Sequence, residues 1–286
     1  MLVRESYPPG VPCWIDTAQP DPDAAASFYA DLFGWAFADQ MPPEAPGQYL
    51  VATLESLEVA AVGSQEGDAP PVPAWTTYIA VESADDAAGK VRDAGGAVLA
   101  GPFDVMEAGR MAVCADPSGA VFCVWQAGTT TGAKLVNHPN TWNWSNLNTR
   151  DPEGAAAFYG TVFGWEARSI DMGPTQATMF RRPGYGDFLE TLEPGVRDRQ
   201  GGEGAPEGFA DAVGWLNVMT DDEFPADVPA HWAVTFTSSD TAATAKRAEE
   251  LGGTVVVAPV EMGPVVSATL ADPFGAIFSV NSFDPG

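Results

Sequence analysis

The chain predicts an α+β protein of four strand–helix–three-strand (βαβββ) modules, paired into two domains with curved, mixed or antiparallel sheets around a concave cavity. Three observations carry this. First, residues 12–35, PCWIDTAQPDPDAAASFYADLFGW, return as residues 142–165, WNWSNLNTRDPEGAAAFYGTVFGW, with Trp14, Asp21, Pro22, Phe28, Tyr29, Phe33, Gly34 and Trp35 matched at a constant offset of 130. Second, a shorter signature recurs further on. Trp75 and Gly95-Gly96 match Trp232 and Gly252-Gly253 at an offset of 157, and Asp116-Pro117 and Gly119 match Asp272-Pro273 and Gly275 at 156. Third, runs such as Val121 to Trp125 are short and bounded by turn residues, as strands of half-buried sheets are.

Each long repeat carries its own start and stop signals. Asp21 and Asp151 stand at the N-cap of a helix, with Pro22 and Pro152 at its first position, where a missing N–H costs nothing. Asp23 and Glu153 suit the positive end of the helix dipole, and Gly34 and Gly164 supply the stop. A strand precedes each helix and another begins at Trp35 or Trp165. Strands follow at 49–54 and 57–63, then the Pro/Gly-rich linker SQEGDAPPVP. The strand AWTTYIAVES leads into an alanine-rich helix that ends at Gly95-Gly96, and three more strands follow.

The expected domains are therefore 1–127, with modules 10–63 and 73–127, and 140–286, with modules 140–195 and 228–283, joined by a linker at 128–139. Residues 196–227 form a longer acidic stretch with a glycine-rich start and a strand at 213–219.

Composition narrows the function. With 39 acidic against 13 basic side chains, the formal charge is −26, which repels phosphate backbones and anionic membranes. Solubility or life in high salt explains such a surface, and capture of a cationic ligand is the functional alternative. No apolar run spans a bilayer, and the start MLVRESYPPG has no apolar signal region, so a cytoplasmic protein is expected. The three cysteines, Cys13, Cys114 and Cys123, sit in apolar strand-like runs, read as buried free thiols, and lack zinc-site spacing.

The two D-P-x-x-x-x-x-F-Y…F-G-W stretches, the Gly-Gly turns and the D-P-x-G turns together resemble the vicinal oxygen chelate superfamily over nearly the whole chain. That superfamily includes glyoxalase I, extradiol dioxygenases, and fosfomycin- and bleomycin-resistance proteins. Among its members the chain looks similar to tandem actinobacterial proteins described as glyoxalase-like or hydroxylase-like. The resemblance implies a glyoxalase-like fold and, in the superfamily's enzymes, a divalent metal held by two histidines and a glutamate. The matching positions hold Trp14 and Trp144, Thr76 and Ala233, and Cys123 and Ser279. None is a usual ligand, and the two histidines, His138 and His231, lie elsewhere, so no metal and no cofactor are expected.

Strand parity assigns two different linings. In the first domain Trp14, Asp16, Thr76, Tyr78, Cys123 and Trp125 should face inward; in the second, Trp144, Asn146, Asn148, Thr235, Ser279 and Asn281. An aromatic cup with one carboxylate suits a flat, largely apolar small molecule. Asp16 is then a candidate general base or a partner for a ligand cation, while Cys123 has no histidine placed to activate it. The structural alternative is that the two indoles merely plug cavities left by lost metals. The expected function is metal-free binding of a planar, largely apolar small molecule. The alternative is a cofactor-independent hydroxylase, isomerase or lyase acting on an aromatic or polyketide-like metabolite. A metal-dependent lyase or dioxygenase is opposed by the ligand positions. A small-molecule partner is expected, without nucleic acid or membrane, in a monomer or homodimer.

Overall fold

The computed structural model describes residues 3–65, 72–171, 176–200 and 206–283. Residues 66–71 of the SQEGDAPPVP linker and the glycine-rich run at 201–205 lie outside the described residues.

The first domain holds β1 (Pro12–Gln19), α1 (Pro22–Phe33), β2 (Ala36–Asp39), β3 (Tyr49–Leu54), β4 (Leu57–Ser64), β5 (Trp75–Ala80), α2 (Ala84–Asp93), β6 (Ala97–Val105), β7 (Gly109–Ala115) and β8 (Val121–Ala127). The second repeats the plan with β9 (Trp142–Thr149), α3 (Pro152–Phe163), β10 (Glu166–Asp171), β11 (Gln176–Arg181), β12 (Ala212–Val218), β13 (His231–Thr237), α6 (Thr241–Glu250), β14 (Thr254–Met262), β15 (Val265–Ala271) and β16 (Ile277–Phe283). Between β11 and β12 lie α4 (Tyr185–Leu192), α5 (Val196–Gln200) and a 3-10 turn at Phe209–Asp211.

Each domain is one eight-stranded open sheet, ordered β2-β3-β4-β1-β5-β8-β7-β6 and β10-β11-β12-β9-β13-β16-β15-β14. The two modules of a sheet join through an antiparallel seam, β1 with β5 and β9 with β13, while β1–β4 and β5–β8 are parallel. The sheets are therefore mixed, and consecutive modules pair.

The third module closes on β12, well past residue 195. In the first domain the hairpin β3–β4 turns at Glu55-Ser56, both in the left-handed region (φ 53° and 66°), as a tight two-residue turn demands. In the second, α4, α5 and the 3-10 turn come between the corresponding strands. Pro183 and Gly184 (φ 86°) end β11, and Tyr185 and Leu189, one helical turn apart, give α4 a buried face. The sequence anticipates β12 but not this helical insertion. Its apolar signals are short, and its acidic neighbours read as loop.

Helix capping follows the sequence reading. The Asp21 carboxylate accepts from the Ala24 amide at 3.0 Å and that of Asp151 from the Gly154 amide at 2.9 Å, and Gly34 and Gly164 adopt φ of 76° and 70°. What the helices bury is less local. Phe28, Tyr29 and Phe33 of α1 pack on Trp35 and Trp75 of their own domain and on Phe236 and Phe278 of the other. Phe158, Tyr159 and Phe163 of α3 likewise pack on Trp165 and Trp232 and on Phe122 of the first domain. The helices thus form a layer between the two sheets, and the Thr77 and Ser145 hydroxyls meet at 2.7 Å where the sheets touch directly.

Polar relays lock this layer. Tyr29 Oη accepts from Trp75 Nε1 (3.1 Å) and donates to Asp272 of the opposite domain (3.0 Å). Tyr159 Oη accepts from Trp232 Nε1 (2.9 Å) and donates to Asp116 (3.2 Å). The second carboxylate oxygen of each aspartate accepts two backbone amides of its own turn, Ser118 and Ala120 or Phe274 and Ala276. Trp35 and Trp165 donate across the same junction, to the carbonyls of Asn140 (2.8 Å) and Gly10 (2.6 Å).

Removing either tyrosine hydroxyl leaves a buried indole N–H without its acceptor and a buried carboxylate one donor short. Tyr29→Phe and Tyr159→Phe should each lower unfolding free energy by about 1–3 kcal/mol in urea titrations. Losses below about half a kcal/mol for both would show that the relays are not what joins the domains.

Candidate functional site

The antiparallel seam puts Trp14 opposite Tyr78 and Asp16 opposite Thr76, and the parallel pairing sets Tyr78 beside Cys123 and Ala80 beside Trp125. Alternation along paired strands then gathers Trp14, Asp16, Thr76, Tyr78, Cys123 and Trp125 on one face of the first sheet. β3 adds a residue the sequence reading missed. Tyr49 Oη accepts from Trp14 Nε1 (3.0 Å) and donates to Asp16 (3.0 Å), while Tyr78 Oη donates to the same carboxylate oxygen (2.7 Å). The signal for Tyr49 was its shared parity with Val51 and Thr53 in an alternating strand. The long Pro/Gly loop before it hid the register.

Trp14, Tyr78 and Trp125 are each 8 % exposed, so these rings fill much of the cup themselves. Trp125 is further tethered through Nε1 to the Thr130 carbonyl at 2.9 Å. Asp16 and Thr76 keep partial contact with solvent. So do Val51, Met111 and Val113, which share the face through pairing with Ala61, Trp125 and Cys123. A half-exposed apolar rim therefore surrounds a carboxylate held by two phenols.

Asp16 sits deep although not fully shielded. Burial pushes its carboxyl up from 3.8 to about 6, against the opposing pull of hydrogen bonds from Tyr78 and Tyr49. Burial and the neighbouring Asp16 charge hold both phenols well above the usual tyrosine range. The same two causes hold the Cys123 thiol well above its ordinary 9.0, which opposes thiolate chemistry.

The second cup has other chemistry. Counterparts of Asp16, Tyr49 and Tyr78 are Asn146, Ala177 and Thr235, by sequence offset and strand register. Asn146 Nδ2 donates to Thr235 Oγ1 (3.2 Å), and its buried Oδ1 has no partner. Trp144 meets Phe209 and Trp215 and borders a cavity of about 280 Å³ at the domain junction. Ser279 lies 3.4 Å from the Thr269 hydroxyl, and Asn281 accepts from Asn143 (3.3 Å). Asn148 is buried and its amide is used internally, meeting His231 Nε2 at 3.0 Å and accepting from Asn217 at 3.1 Å. His138 contacts the Pro139 carbonyl, away from either cup.

Two segments match family profiles: residues 14–124 that of the Glyoxalase/Bleomycin resistance protein/Dioxygenase superfamily, and residues 144–281 that of a Glyoxalase-like domain. The chain belongs to this superfamily. A relative covering 98 % of this chain and 97 % of its own length, at 36 % identity over 283 residues, is the candidate glyoxylase CFP32 of Mycobacterium tuberculosis. The anthracycline biosynthesis protein DauV of Streptomyces sp. (strain C5) is 36 % identical over 291 residues, covering 96 % of this chain and 94 % of its own. Among solved structures, the Mn(II)-bound glyoxalase of Novosphingobium aromaticivorans superposes with a TM-score of 0.59 at 14 % identity, covering 96 % of this chain and 82 % of that one. A mutant 4-hydroxymandelate synthase of Streptomyces coelicolor gives 0.57 at 11 %, covering 98 % and 95 %. At such identities the superpositions speak for the fold alone.

A superfamily metal would not find its donors in either cup. The Trp14 nitrogen donates a proton to Tyr49, and Thr76 stands at the second imidazole position. No three or more His, Cys, Asp or Glu side chains converge among the described residues, whereas such ions need several lone-pair donors at bonding distance. Among the described residues no helix is long and apolar enough to cross a membrane.

A carboxyl raised in the fold binds its proton more tightly there than in the unfolded chain. Asp16 therefore adds stability below about pH 4, and that contribution is lost as pH rises through about 6. A rise from 3.8 to about 6 corresponds to about 3 kcal/mol. Asp16→Asn should gain on the wild type by up to that amount between pH 4 and pH 7 in urea titrations. Parallel stability curves for the two proteins would contradict a raised Asp16.

Proposed function

We propose that the first cup is a metal-free site for a planar, largely apolar small molecule, held against the rings of Trp14 and Tyr78 and oriented by the Asp16–Tyr49–Tyr78 cluster. The observation that carries the reading is that cluster. One carboxylate, two phenols and an indole N–H form a hydrogen-bonded set within an aromatic and aliphatic surround. Such a face offers stacking area and a few fixed polar contacts, the combination that selects flat ligands with one or two polar edges. A relative named for anthracycline biosynthesis adds weight to a polyketide-like aromatic compound as the ligand class.

A second reading rests on Asp16 alone. With a carboxyl near 6, it is mostly ionised at neutral pH yet basic enough to accept a proton from an activated C–H or O–H of the bound molecule. Tyr49 and Tyr78 would hold the carboxylate in place during the transfer. In that case the protein is a cofactor-independent enzyme acting on the same ligand class.

Titration with 1,8-dihydroxyanthraquinone, followed by tryptophan fluorescence, tests both. Saturable quenching should weaken about tenfold or more in Trp14→Leu and in Tyr78→Phe, since each loses stacking area or a charge-assisted bond. Unchanged affinity in both variants would remove the first cup as the site. Stoichiometric divalent metal in the purified protein would overturn the metal-free reading. Turnover that disappears in Asp16→Asn while binding persists would favour the enzyme.

A further inference from the structure

The cavity of about 280 Å³ beside Trp144 is walled in part by elements that have no counterpart in the first domain. Tyr185 and Leu189 of α4, Gln200 of α5, and Phe209 and Ala210 of the 3-10 turn wall one side. Val11, Val136 and Trp142 are among the residues opposite, where Asn137, Asn143 and Ser145 add polar edges. Into this largely aromatic and aliphatic lining comes one cation, Arg4, on the segment that pairs with the interdomain strap through its amide and the Lys134 carbonyl (2.8 Å).

Arg4 is only 4 % exposed, and its Nε and Nη1 have no hydrogen-bond partner. Its guanidinium lies 5.9 Å from the centre of the Tyr185 ring, and its charge pulls against the burial that raises the Tyr185 and Tyr7 hydroxyls. The chain has 39 carboxylates, yet none is among the described lining residues. Two more buried polar atoms at the same cavity are unpartnered: the donor Trp142 Nε1 and the acceptor Gln200 Oε1.

A buried guanidinium without a counter-charge is costly, and it persists in folds chiefly where a ligand or partner supplies the charge. We propose that this cavity is a second ligand site, separate from the Asp16 cup, for an aromatic carboxylate. The ligand carboxylate would accept from Arg4 and Trp142, and its ring would pack on Tyr185, Phe209 and Leu189. A ring hydroxyl would donate to Gln200 Oε1. The volume lies just below the range for drug-sized ligands, about 300–1,000 Å³, which suits a one-ring molecule. The apolar walls select an organic anion over a hydrated inorganic one, and the planar fork of arginine fits a carboxylate in particular.

Calorimetric titration of the full chain at fixed ionic strength tests this with benzoate, 4-hydroxybenzoate, benzamide and inorganic phosphate. Benzoate should bind at one site, 4-hydroxybenzoate more tightly, and the neutral isostere benzamide about tenfold or more weakly, the scale of one charge-assisted contact. Arg4→Gln should lose benzoate by a similar factor while melting at the same or a higher temperature, because it removes an uncompensated buried charge. Equal affinity for benzoate and benzamide, no saturable binding of either, or unchanged benzoate binding in Arg4→Gln would each overturn the proposal. So would phosphate binding as tightly as benzoate. Should Arg4→Gln fail to fold, the benzoate–benzamide ratio on the wild type and the benzoate affinity of Trp142→Phe decide the matter.

Discussion

The fold depends on a tyrosine hydroxyl placed between an indole of its own sheet and an aspartate of the other domain. Tyr29 and Tyr159 each accept one proton and donate another inside a ring-packed layer, so neither domain satisfies its own buried groups alone. The aspartates serve two structures at once. One oxygen closes a backbone turn before the last strand of a domain, and the other receives the opposite helix. Burial raises the Asp116 carboxyl, which its amide and phenol donors offset in part. Because the helices lie between the sheets, both concave faces point outward. This arrangement leaves two cups free to diverge while the layer that joins them stays symmetric.

Divergence is what the cups show. Asp16, Tyr49 and Tyr78 become Asn146, Ala177 and Thr235, so a cluster organised by one carboxylate turns into an amide–hydroxyl pair with an unpartnered oxygen. Neither set resembles a divalent-metal cradle, since the indole at the first ligand position donates a proton and offers no lone pair.

Most of the fold was legible in the sequence because duplication exposes it. Residues that recur at a fixed offset, such as Phe28-Tyr29 and Phe33-Gly34-Trp35, obey backbone and burial rules that act locally: an N-cap, a helical proline, a left-handed glycine. Strand alternation also placed Trp14, Asp16 and Tyr78 on one face. What stayed hidden depends on contacts between elements distant in sequence. Tyr49 reaches Asp16 only through the register of β3 against β4 and β1. Asn148, expected to face inward, is buried with its amide meeting His231 and Asn217, contacts that no local pattern announces. The insertion at 182–211 carries no repeat partner, so nothing in the chain forecast that α4 would wall a cavity or that Arg4 would enter it.

This separation has a physical cause. The motifs that reveal the superfamily are those needed to fill and close the helical layer, and that task is the same whatever the cups bind. Residues free to specialise are the ones the layer does not use, and they lie where the two halves cease to match. Asp16 against Asn146 is one such place, and the helical insertion against the Glu55-Ser56 turn is the other. The first leaves a carboxyl raised by burial and the second a buried cation with no carboxylate among the described lining residues. Symmetric packing can fix neither, because each is a buried ionisable group whose desolvation the rest of the fold must offset. Chemistry is therefore to be sought where the repeat breaks, and the repeated aromatics explain only how two such different pockets come to share one core.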